Sequence, residues 1–132
     1  MRMDGAPKRR WRPYETSLGH RPTDGFLEWL LKVDEDCYRD LLVGMSEVKE
    51  HGLVRSRHLR GDIYEVRASG ATHSARLLFA QEGSRGQVLL ALEGLDKKTQ
   101  KTPPATIALA EQRLDDWRRR GRLKRHGHFT KG

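Results

Sequence analysis

The chain has 132 residues and carries 26 lysines and arginines against 18 acidic residues, a formal charge of +8, with a pI near 10.1. That length is one domain, able to bury about two thirds of its unfolded surface, and that charge points to a polyanionic partner: RNA, DNA, an acidic protein or an anionic membrane. A single cysteine, Cys37, excludes an internal disulfide and any multi-cysteine metal site, and no stretch approaches the ~18 apolar residues of a membrane span.

Residues 1–10 hold Gly5, Pro7 and the basic residues Arg2, Lys8, Arg9 and Arg10 without periodicity. They read as a disordered basic arm. No apolar run follows, as a secretory leader would require, so a cytoplasmic location is expected. The domain proper is expected over 11–121. Trp11–Ser17 reads as a first strand, confined to a sheet edge by Pro13. After a turn at Leu18–Pro22, Thr23 or Asp24 is expected to cap a helix. Its apolar residues Phe26, Trp29, Leu30 and Val33 recur at i, i+3, i+4, i+7. Asp34 opens a second helix, with Glu35 and Asp36 at its positive end and a stripe of Tyr38, Leu41, Leu42, Met45 and Val48; Gly52 stops it. Two stripes facing one another and a sheet make a helical hairpin, with Trp29, Tyr38 and Met45 as core residues. Leu53–Arg60 reads as a basic connection whose Arg55, Arg57, His58 and Arg60 are either solvated or phosphate-touching.

Three strands are predicted next: Gly61–Arg67, His73–Ala80 and Val88–Leu92, with turns at Ser69–Thr72 and Glu82–Gly86. The third is almost wholly apolar and should be central and covered on both faces. Neither glycine turn leads into Gly-Lys-Ser/Thr, which argues against a nucleotide triphosphatase. A basic loop, Gly94–Pro103, leaves the sheet with Lys97, Lys98 and Lys101. Thr102 as cap and Pro103 at the first position open a last helix, with Ile107, Ala110, Leu114 and Trp117 inward and Arg118–Arg120 in its final turn before Gly121. Residues 122–132 read as a basic flexible tail, whose His126 and His128 lack the further ligands a metal needs.

Arginines inside apolar strands are costly to bury unpaired, so Arg67 and Arg76 should line an exposed or ligand-facing surface. Strand alternation places Ile63, Glu65 and Arg67 on one face, and Arg76 on one face with Ser74 and Leu78. Without the register, convergence of the two arginines is an expectation. Converging guanidiniums grip phosphate by forked hydrogen bonds, and nearby lysines add compact charge. Such a site stabilises the added negative charge of a phosphodiester in transition, and RNA brings its own nucleophile, the 2′-hydroxyl. Proton-transfer candidates are Glu65, Tyr64, His73 and Lys97 or Lys98. No acidic cluster suited to magnesium stands out, which favours metal-independent chemistry. The bland alternative is a surface pair between Glu65 and Arg67, a solvated Lys97-Lys98 turn and a core Tyr64.

Several segments carry a resemblance: Leu59-Arg60-Gly61-Asp62-Ile63-Tyr64-Glu65-Val66-Arg67, Ala75-Arg76-Leu77-Leu78-Phe79, Leu95-Asp96-Lys97-Lys98-Thr99-Gln100-Lys101-Thr102-Pro103, and Ala108–Leu114. Together, over roughly residues 11–117, they resemble the RelE/HigB superfamily of type II toxin–antitoxin toxins, in particular its phage-derived, HigB-like branch. The resemblance implies an α+β, RelE-like fold: an N-terminal helical hairpin packed on a small antiparallel sheet, plus a C-terminal helix. It implies a ribosome-dependent mRNA endoribonuclease without a cofactor, inhibiting translation and neutralised by a helix-turn-helix, HigA-like antitoxin. Arg67 and Arg76 match the phosphate-binding strand arginines, Lys97 and Lys98 the basic loop, and Tyr64 a strand tyrosine. The expected catalytic set is Arg67, Arg76, Lys97 and Lys98. The expected RNA-binding set is Tyr64, His73, Lys101, Arg57 and Arg60. Leu95 stands where an aromatic is common, and the general acid is open among His73, His126 and His128. Two other classes fit the residues: a ParE-like toxin inhibiting DNA gyrase, and a non-catalytic basic nucleic-acid-binding prophage protein.

Overall fold

A five-stranded sheet divides two hydrophobic cores in the computed structural model, which describes residues 8–98 and 100–131, with side chains as far as Arg122. The elements are β1 (Arg10–Pro13), α1 (Pro22–Val33), α2 (Glu35–His51), a 3-10 turn (Leu53–Arg55), β2 (Arg57–Arg60), β3 (Ile63–Ser69), β4 (Ser74–Glu82), β5 (Val88–Asp96) and α3 (Pro104–Lys131). The sheet order is β1-β5-β4-β3-β2. β2 to β5 form an antiparallel meander, and β1 pairs parallel with β5. The expected α+β architecture is therefore present, with a mixed sheet in place of a purely antiparallel one. Two short strands complete it: Pro13 sits at the edge as predicted, while β2 occupies the stretch read from sequence as a loop.

Period-2 alternation explains the two cores. On one face, Val66, Ala68, Ala75, Leu77, Phe79, Leu89 and Ala91 pack against Leu30 of α1 and Cys37, Leu41 and Val48 of α2. On the other, Ile63, Leu78, Ala80, Leu90 and Leu92 pack against Ile107, Ala110 and Leu114 of α3, with Tyr14. β5 is apolar because it lies between two strands and under helices on both faces. Each fully buried leucine here is worth about 1.5–3 kcal/mol.

The helical hairpin forms, but its buried stripe is narrower than predicted. Trp29 is 40% exposed, and Val33 and Leu42 also face outward. Cys37 takes the inward position instead. A small thiol fits where α2 approaches the sheet, and the larger residues one position away remain at the rim. Gly70 permits the same closeness: a β-carbon there would stand 2.5 Å from Cys37 and from the Asp34 carboxylate.

Helix ends differ in how they are made. α1 starts at Pro22 with no side-chain cap, and Thr23 is buried rather than capping. Asp34 caps α2 as predicted, accepting from the Cys37 amide at 3.0 Å. It also accepts from the Thr72 and His73 amides at 2.7 and 2.8 Å, tying the β3–β4 turn to the helix start. These amide bonds, Thr72 first, hold its carboxyl well below the ordinary range against the cost of burial. Gly52, at φ 89°, ends α2. At α3 the Pro103 carbonyl receives the Thr106 and Ile107 amides, so the helix begins one residue later than predicted and Thr102 is not its cap. α3 runs on through Gly121 to Lys131, past the predicted stop. Residues 1–7 of the expected arm, and the side chains from 123 onward including His126 and His128, lie outside the described residues.

Candidate functional site

The β3–β4 register brings Arg67 directly opposite Arg76. Both lie on the face of the sheet that carries α3, since Ile63 and Leu78 on the same face pack against that helix. The helix covers the far end of the face, and the loop leaving β5 comes to the near end. Two like charges at one rung repel, so such a pair persists only with a counter-charge. Glu65, two residues before Arg67 on the same face, supplies it.

Glu65 is 0% exposed, Arg76 3% and Thr102 7%. Arg67 Nε donates to Glu65 Oε2 at 2.6 Å. Arg76 Nη1 donates to Thr102 Oγ1 at 2.9 Å, and Thr102 Oγ1 donates to Glu65 Oε1 at 2.5 Å. Arg67 Nη2 also donates to the Gln100 carbonyl at 2.5 Å. Two guanidiniums, one hydroxyl and one carboxylate thus form one connected chain, tied at two points to the exit loop. At the loop's start the Lys97 amide donates to the Ser74 carbonyl at 2.9 Å. Burial, and then the facing Arg67, lower the Arg76 pKa. An arginine so shifted stays protonated at neutral pH.

A pocket of about 150 Å³ opens beside this chain, lined by Arg67, Arg76, Lys97, Lys98, Ser74 and Gln100 among others. A second hollow of about 410 Å³ adjoins at the β2 edge, lined by Gly44, Val54, Arg57, Glu65 and Val66. Arg67 lines both. Two arginines and two lysines are among the lining residues of this pocket, and none of the lining residues is acidic, a charge balance that attracts anions in general.

The structure brings together all four residues expected to be catalytic, Arg67, Arg76, Lys97 and Lys98. The five expected RNA contacts are distributed differently. Arg57 stands 3.9 Å from Glu65 Oε2 and lines the adjoining hollow. Arg60 is paired with Glu111 of α3 at 2.6 Å, and that pairing lowers the Glu111 pKa. Tyr64 is on the opposite face, its ring against His58 and Phe79. His73 lies in the β3–β4 turn, edge-on to Trp29 and bonded to Thr72 Oγ1 at 2.6 Å, and does not line the pocket. Lys101 is exposed in the exit loop. The geometry adds Thr102 and the Gln100 carbonyl. Thr102 has the look of a helix cap in sequence, and a main-chain carbonyl has no sequence signal at all. Glu65 at i−2 from Arg67 was legible as a pair, but not as the anchor of a second arginine.

Among the described residues no group of three or more His, Cys, Asp or Glu side chains gathers as a metal site, and no described helix is long and apolar enough to cross a membrane. The family profile described as "Phage derived protein Gp49-like (DUF891)" matches residues 28–115, two thirds of the chain, including Glu65, the two strand arginines and the exit loop. No curated protein matches the chain.

Proposed function

The chain belongs to the phage-derived Gp49-like family, a RelE-like toxin family of toxin–antitoxin systems, and on that premise we propose that it is a metal-independent endoribonuclease of the HigB-like branch. It cuts message on the ribosome in the cytoplasm and is held inactive by a cognate helix-turn-helix, HigA-like antitoxin. The observation that carries this reading is the opposed Arg67–Arg76 pair, with Lys97 and Lys98 around one open pocket.

The chemistry follows from the donors. Arg67 and Arg76 hold the scissile phosphate and stabilise the charge that grows on it. The substrate's 2′-hydroxyl attacks in line, so the protein supplies alignment and proton exchange, not a nucleophile. Glu65 is fully buried with both carboxylate oxygens engaged, and Tyr64 is across the sheet. His73 does not line the pocket, so among the described candidates Lys97 and Lys98, at the pocket wall, are assigned the proton exchange.

The test is expression of the protein in cells, with primer extension on the message and growth as readouts. New 5′ ends in translated message, absent with Arg76→Ala, are expected. Growth arrest without new 5′ ends would favour a gyrase-inhibiting toxin, and neither effect would favour a non-catalytic basic domain.

A further inference from the structure

Within the endoribonuclease reading, on which this inference rests, we propose that Glu65 and Thr102 are positioning residues: a buried relay that aims both arginines at the phosphate and holds the lysine loop over it. The direction of every bond in the relay is forced. A guanidinium only donates, so Thr102 Oγ1 must accept from Arg76. The hydroxyl's own hydrogen then goes to Glu65 Oε1. The other carboxylate oxygen is taken by Arg67 Nε. The order is Arg76 to Thr102 to Glu65, with Arg67 arriving from the other side.

The consequence is a shared counter-charge. Arg67 is hydrogen-bonded to the carboxylate directly and Arg76 through the hydroxyl, while the carboxylate's charge also reaches Arg76 through space. Thr102 therefore decides whether the second guanidinium is held in the same frame as the first. The same residue belongs to the loop carrying Lys97 and Lys98, and Arg67 grips that loop again at the Gln100 carbonyl. The strand arginines are thus tied to the exit loop at Gln100 and Thr102. None of the relay atoms needs to touch substrate. Neither Glu65 nor Thr102 lines the pocket that Arg67, Arg76, Lys97 and Lys98 line, which sets them apart from the groups that meet the phosphate.

A relay of this kind has an unusual signature. Glu65→Gln removes the one carboxylate that, among the described residues, is bonded to the arginine pair, so the pocket becomes more positive and holds the RNA ground state at least as tightly. It also releases the frame, so the chemical step slows. Thr102→Val keeps the shape and loses the hydroxyl, and Thr102→Ser keeps the hydroxyl.

The experiment is single-turnover cleavage of message on programmed ribosomes, recording maximal rate and half-saturating protein concentration for the full chain and the three variants. Thr102→Val should cut about 10–100-fold more slowly, the scale of a small misalignment, with half-saturation within about twofold. Thr102→Ser should recover most of the rate. Glu65→Gln should be slow with half-saturation unchanged or lower. A Thr102→Val protein that cuts as fast as wild type overturns the relay while leaving the nuclease reading standing. So does a Thr102→Ser protein as slow as Thr102→Val, or a loss in Glu65→Gln that falls wholly on half-saturation. A wild-type protein that cuts nothing removes the nuclease reading and the relay with it.

Discussion

Arg67 and Arg76 face each other across one rung of the β3–β4 pair, and the same buried carboxylate, Glu65, serves both, the first directly and the second through Thr102. The carboxylate offsets the repulsion between the two guanidiniums and leaves the trio with one net positive charge. A carboxylate for each arginine would have cancelled the pocket, and none would have driven the strands apart.

Arg76 should tolerate replacement poorly even by another cation. Lysine keeps the charge but presents no planar fork, and its ammonium cannot reproduce the bond to Thr102 in the same geometry. Arg76→Lys and Arg76→Ala are both expected to lower cleavage on the ribosome by about 100-fold or more, the usual cost of losing one charge-stabilising donor. Cells expressing either should grow. A far-ultraviolet circular dichroism spectrum matching wild type checks that the fold remains.

Lys97 and Lys98 lie at the open wall of the pocket, so each should contribute to RNA attraction through counterion release. Replacing either by glutamine is expected to make the slope of log affinity against log salt shallower by about 0.7 for single-stranded RNA. Titration of a labelled oligonucleotide at several salt concentrations measures this. Arg60→Gln serves as a contrast: its ion pair is with Glu111, so its removal should change the slope less and the anchoring of α3 more.

Acid should weaken the fold through Asp34. Its folded pKa lies below the ordinary value near 3.8. The stabilisation is therefore fully present above that value and is lost as pH falls below it toward the folded pKa. Asp34→Asn should be less stable than wild type at neutral pH, and the gap should close as the pH drops below about 4. Urea unfolding at a series of pH values checks both the sign and the window.

Gly94 stands where a β-carbon would approach the Phe26 ring to 2.2 Å. Gly94→Ala should cost about 1–3 kcal/mol of stability as α1 is pushed from β5. In the Phe26→Ala background the same substitution should cost less, because the obstructing ring atoms are gone. A double-mutant cycle by chemical denaturation gives the coupling.

Much of the fold was readable in the residues. The helical stripes, the capping Asp34, the stop at Gly52 and the edge-bound Pro13 all act through near neighbours in the chain, and local rules reach that far. The apolar run at Val88–Leu92 announced an interior strand because only a strand buried on both faces does without alternation. β2 escaped because four residues, Arg57–Arg60, carry no apolar pattern; β3 recruits them by offering an unpaired edge. Trp29 escaped because an apolar stripe records what can be buried, and the width of the sheet decides how much is.

The sequence alone determined which groups are present and which of them share a face within one strand: Glu65 with Arg67 on β3, Arg76 with Ser74 and Leu78 on β4, and lysines on the loop beyond. Period-2 geometry makes that much a property of order in the chain. Only the tertiary structure decided that Arg67 meets Arg76, that Thr102 turns its hydroxyl to Glu65 instead of capping α3, and that Tyr64 and His73 stand apart from the pocket. Register and loop path come from the packing of the entire sheet between its helices, and no residue's own neighbours along the chain carry that information.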